Sequence, residues 1–182
     1  YNAPFVWMID KVRSGELGEP FGMQVTRIAG GWGGVHGQPW RMKKETSGGP
    51  LFEISAHEID FIRQILGEAT SVYAAMGNYT NPALDYEDLA QVTMRFERGG
   101  QATLLAGHAA KFTCYDGKIF CTDGQIVFGH QAGEVRWAAH GSEVQTQSYA
   151  EVGEGYERGI NRETREFIEA VLDDTEVTIP GS

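Results

Sequence analysis

From residue 89 to residue 147 the chain keeps returning to short β-prone runs separated by turn residues, and that succession limits the possible folds more than anything else in it. Ala90, Val92, Met94 and Phe96 alternate with polar neighbours, so one face of a strand over 89–97 is built for a core. Arg98-Gly99-Gly100 turns the chain, and residues 101–112 supply the returning strand. Asp116-Gly117 and Asp123-Gly124 read as two further turns around the runs KIFCT and QIVFG, and EVRWAA and EVQTQ add one or two strands. With strand-like residues 21–28 and 70–76 upstream, the expectation is an antiparallel-rich sheet of about five to seven strands.

Such a sheet needs helices to cover it. Residues 4–14 place Phe5, Met8, Ile9 and Val12 on one face, and residues 161–172 do the same with Phe167, Ile168, Val171 and Leu172 behind an Asn161 cap. Both are expected to pack on the sheet. Residues 47–66 predict the third helix, about four and a half turns long, with Ser47 as N-cap, Pro50 in the first turn and Gly67 as the stop. Its Leu51, Ile54, Phe61, Ile62, Ile65 and Leu66 face a core. The fold class is therefore α+β, a large open sheet of mostly antiparallel or mixed strands with helices packed on one face.

The same helix carries a polar stripe. Glu53, His57, Asp60 and Gln64 fall at i, i+4, i+7 and i+11, which lines up an imidazole with carboxylates on either side. A histidine so flanked is held in one tautomer and can move a proton near neutral pH, although the same pattern also suits a solvated helix face. Residues 30–49 lead into this helix with seven glycines, among which stand Trp32, His36, Trp40, Arg41, Lys43 and Lys44. A segment of this kind is expected to be irregular and to wall the cavity that His57 faces. Trp40 and Arg41 would suit a polyhydroxylated ring, one as an apolar platform and the other as fixed donors, and they equally suit packing and an ion pair.

Other chemistries find less support. His57-Glu58 lacks the second histidine of a zinc helix because Phe61 occupies its place, and the remaining histidines have no ligand spacing, so no metal is expected. No serine sits in a G-x-S-x-G turn. The formal charge of −10, from 25 acidic against 15 Lys and Arg residues, repels a phosphate backbone and argues against nucleic acid. No run reaches the roughly eighteen apolar residues of a membrane span. Cys114 and Cys121, on either side of the expected Asp116-Gly117 turn, would not sit opposite each other, which suggests free thiols in a reducing, cytoplasmic compartment. At 182 residues the chain can form one domain with a real core. The glycine-rich GGWGGVHG lacks the G-x-G-x-x-G spacing of a dinucleotide loop, so residues 1–182 are expected to be one domain of a longer protein.

The run SGGPLFEISAHEIDFIRQILGE resembles the signature of the glucose-fructose oxidoreductase/inositol dehydrogenase/MocA family through Gly48, Gly49, Glu53, His57, Ile59 and Asp60. Looser agreement extends over nearly all of the chain, from Ser14 to Glu19, through the Trp40-Arg41 pair, to Glu87, Asp88, Phe96 and Gly99. The resemblance implies the substrate-binding and oligomerisation domain of a nicotinamide-dependent (NAD or NADP) oxidoreductase acting on a sugar or polyol. It also implies a separate dinucleotide-binding domain that this chain lacks, and homo-oligomers formed through the open sheet face. By that likeness His57 is the base and Glu53, where the family usually has Asp, its partner or a ligand contact. Trp40 and Arg41 would touch substrate, while Asp60 would support the helix. Two other readings remain open: a sugar-sensing relative without turnover, and a β-rich association module.

Overall fold

The computed structural model describes residues 2–30, 37–157 and 159–177. One eight-stranded sheet organises it, with strand order β2-β3-β4-β1-β5-β6-β7-β8. The strands are β1 (Pro20–Ile28), β2 (Ala69–Gly77), β3 (Leu89–Phe96), β4 (Gln101–Gly107), β5 (Cys114–Cys121), β6 (Gly124–Gly129), β7 (Glu134–Ala139) and β8 (Gln145–Ser148). Only β1 and β4 run parallel; every other neighbouring pair is antiparallel. The early strand β1 thus lies in the middle of the sheet and joins the β2-β3-β4 meander to the β5–β8 meander.

The alternation read in the sequence sets which face is buried. Ala90, Val92, Met94 and Phe96 of β3 and Ala102, Leu104 and Ala106 of β4 are buried, as are Val25, Ile119, Ile126 and Val135 on the strands beside them. Over this face lie α1 (Ala3–Arg13), through Met8 and Val12, and α4 (Ala56–Leu66), through Phe61, Ile62, Ile65 and Leu66. The opposite face is open, with Gln91, Thr93 and Arg95 of β3 exposed. At the edge, Val72, Tyr73 and Met76 of β2 are exposed as well.

Five expectations change. The sheet has eight strands where the sequence predicts about five to seven. Asp116-Gly117 is not a turn but the middle of β5, paired with β1 on one side and β6 on the other, and a side chain at Gly117 would collide with the Phe128 ring. Glycine here allows close packing, not chain reversal. The cysteines therefore share one strand, and both are free.

The helix expected over 47–66 is broken into α3 (Pro50–Glu53) and α4, because the Ser55 N–H reaches back to Pro50 O and the Ile59 N–H restarts the ladder at Ser55 O. Ser47 ends the preceding short helix α2 (Lys44–Ser47), and its Oγ accepts from the Gly49 N–H. The described part of the glycine-rich segment is more regular than expected, since α2 follows a 3-10 turn over Pro39–Met42; Trp32 and His36 lie outside the described residues.

Finally, α5 (Tyr149–Gly153) leads to α6 (Gly159–Asp173), whose apolar face is not covered by the sheet. Phe167, Ile168, Val171 and Leu172 are all half exposed or more, and within α6 only Ala170 is buried. Its helical form is held at the surface by ion pairs, Arg162 with Glu166 and Arg165 with Glu169, at i, i+4 spacing.

Candidate functional site

The first turn of α4 puts consecutive residues in opposite surroundings. His57 is exposed and opens onto a hollow of about 710 Å³ bounded by α1, α4, the ends of β1 and β5 and the start of α6. Glu58, the next residue, points inward and is 2% exposed. A sequence signal exists for this: Glu58 stands in the apolar stripe with Ile54, Phe61, Ile62 and Ile65, where an acid is out of place unless it has a partner.

The partners come from the sheet. Arg27 of β1 brings its Nε to 3.9 Å from Glu58 Oε1 and lays its guanidinium over the Tyr115 ring of β5, 4.5 Å from the centroid. Phe5 of α1 stacks against that tyrosine as well, with centroids 5.6 Å apart. Burial raises the Glu58 carboxyl above the usual carboxylate range, and hydrogen bonding from Tyr115 and the charge of Arg27 pull it only partly back. Burial and the neighbouring Glu58 push the Tyr115 hydroxyl up as well. Glu58 Oε2 and Arg27 Nε are buried without a hydrogen-bond partner. None of Arg27, Glu58 or Tyr115 was singled out by sequence.

The residues that were singled out divide between two places. His57 and Asp60 line the hollow, as do Arg27 and, on its apolar side, Phe5, Val6 and Ile160. Glu53, just before the helix break, instead pairs with Arg41, Nη2 to Oε1 at 2.8 Å. Arg41 lies 4.9 Å from the Trp40 ring, and its carbonyl accepts from the Tyr86 hydroxyl at 2.7 Å. Neither Trp40 nor Arg41 lines the hollow, and no hydrogen bond or ion pair joins Glu53 to His57. The break at Ile54-Ser55 is the physical reason: it interrupts the regular i, i+4 register between them.

Behind this second group sits a buried polar cluster. Asp88 accepts from the backbone N–H groups of Tyr79, Thr80 and Asn81 and from the Thr80 hydroxyl at 2.6–3.2 Å, which holds its carboxyl below the usual range although burial opposes this. The His108 N–H donates to Asp88 O at 2.7 Å. Burial, aided by the positive charge of Arg41 and opposed by Asp88, lowers the His108 imidazole to about 4, so it is neutral at physiological pH. Among the described residues no group of His, Cys, Asp and Glu could hold a metal, and no helix is long and apolar enough to cross a membrane.

An open mixed sheet with helices on one face defines an α+β domain of the type that forms the C-terminal half of dehydrogenases. The chain belongs to the GFO/IDH/MocA C-terminal domain family, whose sequence model matches residues 5–127. No curated protein sequence matches it.

Solved structures share the fold at low identity. An aldose-aldose oxidoreductase from Caulobacter crescentus, complexed with glycerol, superposes with a TM-score of 0.83 at 18% identity, over 99% of this chain and 53% of its own. An oxidoreductase from Agrobacterium radiobacter in complex with NAD+, L-tartaric acid and magnesium gives 0.78 at 18%, over 97% and 54%. A levoglucosan dehydrogenase in complex with NADH gives 0.76 at 21%, over 97% and 56%. The chain thus spans about half the length of these proteins.

Proposed function

We propose that the chain is the substrate-binding and association half of an NAD- or NADP-dependent oxidoreductase that oxidises a hydroxyl-bearing carbon of a sugar or cyclitol. The observation that carries this is His57, exposed on the first turn of α4 beside a mixed polar and apolar hollow, in a chain of an oxidoreductase family. A dinucleotide does not fit on this chain alone. Among the described residues around the hollow, Glu58, Asp60 and Glu163 stand against the guanidinium of Arg27, and a pyrophosphate needs donors and positive charge. The cofactor belongs on a separate dinucleotide-binding half.

The nicotinamide, when bound there, supplies the hydride acceptor. This chain holds the alcohol and takes its hydroxyl proton on the His57 imidazole as the carbon–oxygen double bond forms. The apolar side of the hollow, from Phe5, Val6 and Ile160, lies against the C–H face of the ring and keeps water from it. Glu53, locked to Arg41, holds the Trp40-Arg41 turn outside the hollow, and Asp60 supports the helix from the hollow's edge. The open sheet face, with Val72, Tyr73 and Met76 exposed at its β2 edge, serves assembly into homo-oligomers, and the expected compartment is the cytoplasm. The test is removal of the His57 imidazole in the protein that carries both halves: an enzyme loses turnover, whereas a sugar sensor or an association module loses nothing.

A further inference from the structure

Arg27 is placed as a ligand-binding group is placed. Its stem leaves the central strand β1, its guanidinium lies flat on Tyr115, and the carboxyl of Glu58 flanks one end. These contacts fix the plane of the fork. Yet at 3.9 Å the approach to Glu58 is too long for a hydrogen bond, and the Arg27 Nε is buried with no hydrogen-bond partner among the described residues. Its side chain is nevertheless 30% exposed, and that exposure is to the hollow onto which His57 opens. A guanidinium stacked on a ring, with part of its side chain bordering a cavity, has already lost much of the rotamer entropy that binding would cost.

We propose that Arg27, mounted on Tyr115 and Glu58, is the anchor that grips adjacent hydroxyl oxygens of the ligand in this hollow, and that the site takes neutral hydroxyl-rich rings in preference to their carboxylate forms. The inference rests on the reading of the hollow as the substrate site. Two neighbouring hydroxyls present lone pairs at a spacing the planar fork can bridge, and each hydroxyl can donate a hydrogen bond to Asp60, Glu163 or the His57 ring around it. The apolar side from Phe5, Val6 and Ile160 suits the C–H face of a ring. An acid would also be drawn to Arg27, but it brings a further negative charge to a hollow that already holds Glu58, Asp60 and Glu163, in a chain of formal charge −10.

The matched pair D-glucose and D-glucuronate, with myo-inositol as a second neutral ring, tests this by isothermal titration against the protein carrying both halves. The expected result is that the neutral rings bind at least about tenfold tighter than glucuronate, and that Arg27→Met, which keeps the stem and removes the fork, weakens them by about ten- to a hundredfold. Arg27→Lys, which keeps charge and loses the planar fork, should recover only part of this. Glu58→Gln should weaken binding less, since it loosens the mount and leaves the fork. Unchanged affinity in Arg27→Met, tighter binding of glucuronate than of glucose, or no binding of either neutral ring would each overturn the proposal. Should Arg27→Met prove unfolded by circular dichroism, the Arg27→Lys titration decides, and wild-type affinity there overturns it equally. Because the readout is binding, the two readings fail separately: unchanged turnover in His57→Ala overturns the dehydrogenase reading and leaves the Arg27 titrations standing.

Discussion

His108 should make the chain lose stability on mild acidification. In the unfolded chain the imidazole titrates at its ordinary value of 6.5, while in the fold burial keeps it neutral down to about 4. Between those values the unfolded state binds the proton and the folded state does not, so a falling pH favours unfolding. The full difference, about 2.5 pH units, corresponds to about 3 kcal/mol lost by pH 4, a large part of a typical domain's stability. Glu58 works in the other direction. Its folded carboxyl titrates above 4.5, so its burial is least costly at low pH and grows more costly as pH rises.

The two effects separate by subtraction. Urea unfolding of the wild type and of His108→Gln at steps from pH 7 to pH 4 gives two stability curves that share the Glu58 contribution and differ in His108. The gap between them should change by about 3 kcal/mol across that range, with the wild type falling more steeply. A gap that stays constant with pH refutes the placement of His108 as a neutral, desolvated imidazole.

Asp88→Asn removes the charge that gathers Tyr79, Thr80 and Asn81 and replaces one acceptor oxygen by a donor; it should cost about 1–3 kcal/mol in chemical denaturation and raise amide exchange over residues 78–88. Ile62→Ala, at a fully buried site beneath the sheet, should cost about 2–5 kcal/mol, whereas Leu172→Ala, at a site 77% exposed on α6, should stay within about 0.5 kcal/mol in this chain. Equal costs at the two positions would show that α6 is covered after all.

The sheet was legible because period-two alternation survives wherever one face is buried, as Ala90, Val92, Met94 and Phe96 show. The central position of β1 was not, because a parallel pairing with β4, far along the chain, leaves no local mark on either strand. Asp-Gly at 116–117 looks like a turn, but its glycine answers to the Phe128 ring on the adjacent strand, a tertiary demand invisible in the run itself. His57 stands out by its spacing in a polar stripe, whereas Glu58, the informative acid, stands in the apolar stripe and carries no such mark. Helical spacing placed Glu53 with His57, and two irregular residues at 54 and 55 were enough to send Glu53 to Arg41. The amphipathic character of α6 was read correctly, but an apolar face does not name what covers it.

Everything proposed for the reaction turns on the imidazole of His57 taking the proton of the reacting hydroxyl. Its most direct test is kcat/KM for polyol oxidation by His57→Ala in the protein carrying both halves, measured together with the Kd of the nicotinamide cofactor. The expected result is a loss of about a hundred- to ten-thousandfold in kcat/KM with cofactor affinity unchanged. Turnover equal to the wild type would contradict it.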